Sequence, residues 1–368
     1  MRFLFTIASV WITWNAAGFA AFLSGQEPSK NPNHSRKYAT RIGDIMVSIR
    51  PEKKSLMLGE PIFFEFRVKN LTNKPMYVVQ GGDNRNRLGR PANYKITAVG
   101  PDGKSVPIID AGMSFGGIMG PRKIDKDLGW SRKLFLPNWF KMKKMGTYTV
   151  KCQTKLRISL QPDFTTQPKE HDADVNVDLS FEIEVGQNRM KEMGSLINEL
   201  GVKSLKGEGD AIKKLLAIED ERVVDPLIQM VKLENYSRRF SALQGLSLFT
   251  SDKALSGIEI GLNTSVKEMR KNASNDKVAR QLVKNIRHSA AVALSRSPHP
   301  KAEGRLIELW NDPNEAIRIT VLHRLGKLLD DESLEILQQM TLDKNERVRK
   351  EAIRYYQLRG GSKRPKQN

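Results

Sequence analysis

Two different spacings of apolar residues divide this chain. Between about residues 42 and 185 the hydrophobic positions recur every second residue, the period of a strand with one buried face. In 61–69, Ile62, Phe64, Phe66 and Val68 fall on one side while Glu65, Arg67 and Lys69 fall on the other. Further on, Val175, Val177, Leu179, Phe181, Ile183 and Val185 alternate with Asp174, Asn176, Asp178, Ser180, Glu182 and Glu184. From Asn188 onward the spacing becomes helical.

The first region is punctuated by turn residues: Asn73-Lys74-Pro75, Pro101-Asp102-Gly103, and Lys144-Met145-Gly146 ahead of Tyr148-Thr149-Val150. Short strands at this spacing predict an antiparallel β-sandwich over 41–187. The segment Leu58-Gly59-Glu60-Pro61 leading into 62–70, together with Gly146-Thr147-Tyr148-Thr149-Val150, resembles two strands of bacterial immunoglobulin-like domains. That resemblance implies that Tyr148 ties the start of its strand to a neighbouring loop. The inter-sheet cysteine pair of antibody domains is absent, which excludes that branch.

The second region, 188–359, repeats itself. Aligning 312–325 on 343–356 matches Asp312 with Asp343, Asn314 with Asn345, Glu315 with Glu346, Ile317 with Val348 and Arg318 with Arg349, a shift of 31 residues. The same shift carries Arg318 back to Arg287 and Leu325 to Leu294. Arg239 and Leu246 match Arg287 and Leu294 at a shift of 48, so 17 extra residues enter within 263–284 as an extra or extended helix. Ala211 and Leu215 mark a degenerate first unit in which Glu208 replaces the arginine. Second apolar helices are expected at 223–233, 302–310 and 333–340, two per unit.

A polar turn followed by an apolar residue, arginine, and then alanine and leucine at helical spacing resembles the HEAT repeat. The resemblance implies an α-solenoid in which units bury their faces against each other. Arg239, Arg287, Arg318 and Arg349 share one repeat position and would form a ladder along one edge. They are the candidate partner-binding residues. The resemblance offers a structural alternative, in which this arginine bonds an aspartate of the inter-unit turn. Asp312 and Asp343 each sit six residues before an arginine, whereas Arg239 and Arg287 lack that aspartate and so read as freer for a partner.

Composition adds a compartment and a charge. Met1-Arg2 precede an apolar run over 3–23, the build of a secretory signal spanning 1–25, with cleavage after Ala20 or Gly25. A membrane anchor is the alternative. A polar linker, 26–40, follows, and 360–368 reads as a basic disordered tail. The chain is thus expected to be exported, periplasmic or extracellular. Its one cysteine, Cys152, rules out an internal disulfide. The formal net charge is +20, with +11 before Arg189 and +9 from it onward, and favours acidic partners.

Motifs that carry chemistry are few. The acidic run 172–178 lacks the glycine and glutamate of a calcium loop, because Val177 and Ile183 stand at those positions. The five histidines, His34, His171, His288, His299 and His323, show no zinc spacing. The glycine-rich stretch 112–120 lacks the Gly-Lys-Ser/Thr of a phosphate cradle and reads as a loop; its Met113, Phe115, Ile118 and Met119 either tuck back or form a contact surface. Cys152 faces inward on its strand and reads as an inert thiol. Neither a cofactor, a metal nor a small-molecule substrate is indicated. The expectation is a multidomain all-β plus all-α protein, an immunoglobulin-like sandwich followed by a HEAT-like solenoid, acting as a non-catalytic adaptor or scaffold for protein partners. Binding of an anionic polymer or membrane surface is a second reading, and an enzyme acting on cell-envelope substrates a third. The pairing of domains behind a signal resembles exported bacterial proteins.

Overall fold

The structure is a computed structural model and describes residues 39–359 except 43, 80–84, 87–89, 92, 111–113, 116–120, 127, 160–172 and 329. The expected signal, most of the linker and the basic tail lie outside the described residues, as do His34 and His171.

The β region contains β1 (Ala39–Ile42), β2 (Ile45–Pro51), β3 (Ser55–Met57), β4 (Phe63–Asn70), β5 (Met76–Val79), β6 (Arg85–Asn86), β7 (Tyr94–Val99), β8 (Ser114–Phe115), β9 (Arg122–Ile124), β10 (Gly129–Phe135), β11 (Gly146–Ser159) and β12 (Ala173–Gly186). One sheet runs β1-β2-β4-β10; the other runs β3-β12-β11-β5-β9, with β7 also paired to β11. Pairing is antiparallel except between β3 and β12. β1 begins at Ala39, so the last residues read as linker already belong to a sheet. Part of the glycine-rich stretch read as loop is also paired, because Ser114 and Phe115 lie opposite Asn86 and Arg85.

The two sheets share one apolar core, and the alternation along their strands decides which residues enter it. Phe64 of β4 meets Phe181 of β12 at 5.3 Å between ring centroids, and Phe66 meets Tyr94 of β7 edge-on at 5.2 Å. Burying a phenylalanine like Phe66, with no exposed surface, contributes about 2–3 kcal/mol. The turns are held by side chains. Buried Asn70 donates to the carbonyls of Lys74 and Ile124 at 2.7 and 3.1 Å and accepts from Thr72, which shapes the Asn73-Lys74-Pro75 turn. The Tyr148 hydroxyl donates to the Lys144 carbonyl at 3.0 Å and accepts from the Lys144 N–H at 2.9 Å, tying the start of β11 to the loop before it. Gly146 allows the approach: its φ is 118°, and a Cβ there would lie 2.5 Å from Cβ of Pro101.

The helical region follows as α1 (Met190–Lys206), α2 (Gly209–Ala217), α3 (Val224–Lys232), α4 (Tyr236–Leu246), α5 (Asp252–Leu262), α6 (Val266–Met269), α7 (Asp276–Arg296), α8 (Ala302–Ile307), α9 (Glu315–Leu325), α10 (Asp331–Met340) and α11 (Glu346–Leu358). Starts are set by capping side chains: Asn235, Ser251, Asn275, Asn314, Asp330 and Asn345 each accept from an N–H of the first turn. The 17-residue insertion takes both forms anticipated for it. It makes the separate short helix α6 and extends α7 to 21 residues. One continuous core runs from Met193 to Ala352, so no unit closes its own. No described helix is long and apolar enough to cross a membrane.

The described β and helical regions belong to one compact unit. Met57 at the end of β3 packs on the helical core, Lys133 and Lys214 pair with Asp210 and Glu52 at 2.8 and 2.6 Å, and Lys141 pairs with Glu219. Lys214 also sits over the Phe63 ring, 5.7 Å from its centroid.

Truncating Phe66 to alanine is expected to lower unfolding stability by about 3–5 kcal/mol in urea titrations followed by tryptophan fluorescence. Gly146→Ala should destabilise by about 1–3 kcal/mol through strain at positive φ and the clash with Pro101. Gly103→Ala carries only the strain at φ 71°, since nothing lies within 4 Å of its Cβ, and should cost less. An equal loss at the two glycines would refute the Pro101 contact.

Candidate functional site

The arginine ladder is where the repeats meet, and its geometry was only half anticipated. Arg318 is enclosed, with 2% of its side chain exposed. Its Nε and NH2 grip the two oxygens of Asp343 at 2.7 and 2.8 Å, and NH1 donates to the backbone carbonyl of Asp312 at 2.7 Å. The aspartate six residues before the arginine therefore supplies only its carbonyl. The carboxylate comes from the next unit, 25 residues on. Arg287 follows the same rule, donating through NH2 to Asp312 at 2.6 Å and through Nε to the Leu262 carbonyl at 2.9 Å.

Each aspartate also builds its own turn. Asp312 accepts from the Asn314 N–H at 2.8 Å, and Asp343 from the Asn345 N–H at 2.7 Å. Those asparagines cap α9 and α11 and also reach backward, Asn314 to the Lys284 carbonyl at 2.9 Å and Asn345 to Glu315. Burial acts to raise the Asp343 carboxyl. The Arg318 fork, the Asn345 N–H and the nearby Lys344 outweigh it and hold the group below the usual carboxylate range.

Arg239 is where the insertion matters. At 25 residues beyond it stands Thr264, whose hydroxyl accepts from NH1 at 2.9 Å, and Glu268 of α6 supplies the charge at 3.3 Å. The Leu233 carbonyl takes Nε. Arg239 was read as freer for a partner because no aspartate precedes it, and the structure corrects this: its side chain is 2% exposed and fully engaged. Arg287 was read the same way, and its carboxylate partner is Asp312. Of the partner-binding ladder, then, Arg239 and Arg318 are enclosed in the stack, and Arg287, 26% exposed, is engaged by Asp312. Arg349 differs. Its NH1 repeats the local contact, donating to the Asp343 carbonyl at 2.7 Å, but no carboxylate among the described residues meets its other edge.

The signal missed in the sequence was the spacing of 25. Asp312 after Arg287 and Asp343 after Arg318 display it; Thr264 and Glu268 become visible only once the insertion is placed.

The remaining candidates resolve into packing. Cys152 is buried, and its surroundings with Asp178 push the thiol up to about 12. In the acidic run, Val175 and Val177 of β12 are buried while Asn176 and Asp178 are exposed. His288 is pushed down by burial, His299 is buried with Nε2 3.2 Å from Asp252, and His323 packs edge-on to Tyr355. Two open clefts of about 510 and 460 Å³ lie between the β region and α1, the second reaching the end of α2 and residues 218–220; Lys53, Lys191, Glu192 and Glu199 on the rim of the first are exposed.

Replacing Arg318 with methionine strands the Asp343 carboxylate and should lower stability by about 3–5 kcal/mol. Adding Asp343→Asn should recover a large part of that loss, since asparagine still accepts the turn N–H; additive losses in the double variant would refute the coupling. Because the folded Asp343 is held below its unfolded value, the unfolded chain binds more protons at acid pH. The stabilisation is present above the ordinary carboxylate range near ~4 and is lost as pH falls through the lower folded value. Asp343→Asn should therefore flatten the acid limb of a stability-versus-pH profile.

Comparison with known proteins agrees with the repeat reading over part of this region: residues 276–357 match HEAT repeats. No curated protein matches the chain. Among solved structures it is similar at 10% identity to E. coli alpha-2-macroglobulin in its native conformation, covering 87% of this chain and 25% of that one with a TM-score of 0.21. A Salmonella alpha-2-macroglobulin mutant gives 12% identity, 88% and 23% coverage, and a TM-score of 0.22. The chain thus spans about a quarter of the length of these proteins. The C-terminal helical region carries a HEAT repeat match, and a β-rich region of two sheets precedes it.

Proposed function

We propose that this chain is an exported, non-catalytic adaptor in which a β-sandwich of immunoglobulin-like type and a HEAT-like solenoid together present surfaces to protein partners. The observation that carries the reading is the stack itself: units without closed cores of their own, joined from Met193 to Ala352, over which HEAT repeats match 276–357. HEAT repeats generally mediate protein–protein interaction, and stacked units expose long continuous faces suited to it. The immunoglobulin-like assignment is supported by the two sheets around one core and by Tyr148 tying β11 to Lys144. Export is supported by the apolar run over 3–23 behind Arg2.

A second reading, binding of an anionic polymer or membrane surface, is favoured by the net charge of +20. The two readings differ in salt dependence. Immobilised full-length protein, exposed to the extracytoplasmic fraction of its source cells, should retain a protein partner at both low and high salt. Retention of polysaccharide or vesicles that collapses as salt rises would favour the second reading, and nothing retained at either salt would count against the adaptor. N-terminal sequencing of the exported chain should find a start after Ala20 or Gly25; an intact Met1 in the membrane fraction would make the run an anchor.

A further inference from the structure

The last described unit ends on a face built like the ones that are covered. On α9, Arg318, Thr320, Leu322 and Leu325 are buried, Arg318 by the turn and helix of the following unit. One repeat later, α11 places Arg349, Glu351, Ile353 and Tyr356 at the same positions, and all four are only half-buried. Arg349 is oriented like Arg318, because its NH1 donates to the Asp343 carbonyl as that of Arg318 donates to Asp312. The edge that in Arg318 holds a carboxylate is left over. Leu342 and Leu358, which flank α11 in sequence, are 62% and 72% exposed.

We propose that this end of the solenoid docks an acidic helical segment of a partner protein, which seats an aspartate or glutamate on Arg349 and apolar side chains on Ile353 and Tyr356. The inference rests on the adaptor reading and names the chemistry of the partner. Charge selects the occupant. Lys344, Arg347, Arg349, Lys350 and Arg354 lie along the turn and helix against Glu346 and Glu351, and those two acids are already paired with Lys350 and Arg354, while Arg359 turns back to donate to the carbonyls of Leu325 and Asp330. A second copy end to end would bring like charges together. A second copy head to tail would need α1 and α2, and these meet the β region, with Asp210 on Lys133 and Met193 within 3.9 Å of a Cβ on Gly59. An acidic partner satisfies each of these constraints.

Two arms test this with the full-length chain. In the first, a second copy of residues 329–359 is fused after Arg359, which puts an aspartate 25 residues beyond Arg349. The fusion should raise the unfolding midpoint by about 3–5 °C, and Arg349→Leu, or asparagine in place of the copied Asp343, should remove most of the rise. In the second, partner capture from the extracytoplasmic fraction should fall at least tenfold both for Arg349→Glu and for the fused chain, whose end is covered, with cross-links in the wild type running from Lys344 or Lys350 to an acidic helix. Capture unchanged by both alterations would overturn the proposal while leaving the adaptor reading standing. Capture of a polyanion, weakened equally by Arg347→Glu and Arg349→Glu, would overturn it in favour of general electrostatic binding. A midpoint that the fusion does not raise would show that this face does not stack, whatever the wild type captures; no capture by the wild type would tell against the adaptor reading itself.

Discussion

The guanidinium of Arg318, closed between the turn that precedes its helix and the turn of the next unit, sets the spacing of the helical region. Its three donor positions are filled from two different units, by a backbone carbonyl on one side and both oxygens of a carboxylate on the other. A planar fork matched to a carboxylate tolerates little sliding. Taking such a pair out of water gives back much of the Coulomb energy, so its main consequence is register: a mis-stacked unit would bury a charge without its partner. Apolar contacts between helices supply the bulk of the burial but would permit several slips along a helix. The fork and the asparagine cap that reaches back to Lys284 or Glu315 permit one.

The same constraint explains how the stack accommodates 17 extra residues. At the position due for an aspartate stands Thr264, able to accept a hydrogen bond but not to neutralise a buried arginine. The inserted α6 brings Glu268 to that charge. Insertion and substitution are thus two parts of one change. The substitution without the insertion would leave Arg239, 2% exposed, without a counter-ion.

Much of the architecture was legible because both regions follow strict periods. Alternation placed Phe64, Phe66, Val177 and Phe181 in the core of paired sheets, and the shift of 31 placed the helix pairs and located the insertion. Functional expectations were less legible for an identifiable reason. A cation at a recurrent surface-compatible position looks available until its neighbours in space are known. The aspartate six residues before Arg318 is close in sequence but lends only its carbonyl, and the carboxylate that binds lies 25 residues after.

What the sequence by itself determined is everything that depends on spacing along the chain: strand faces, helix pairs, the repeat and its interruption, and an inward-facing Cys152, because side-chain direction follows from backbone period. What only the tertiary structure decided is what depends on distance through space. It buried Arg239 and Arg318, gave Asp312 to Arg287, seated Met57 against the helices and left Arg349 with an open edge. Period dictates which way a side chain points, but its partner belongs to another segment, and the identity of that segment is settled only when the units stack.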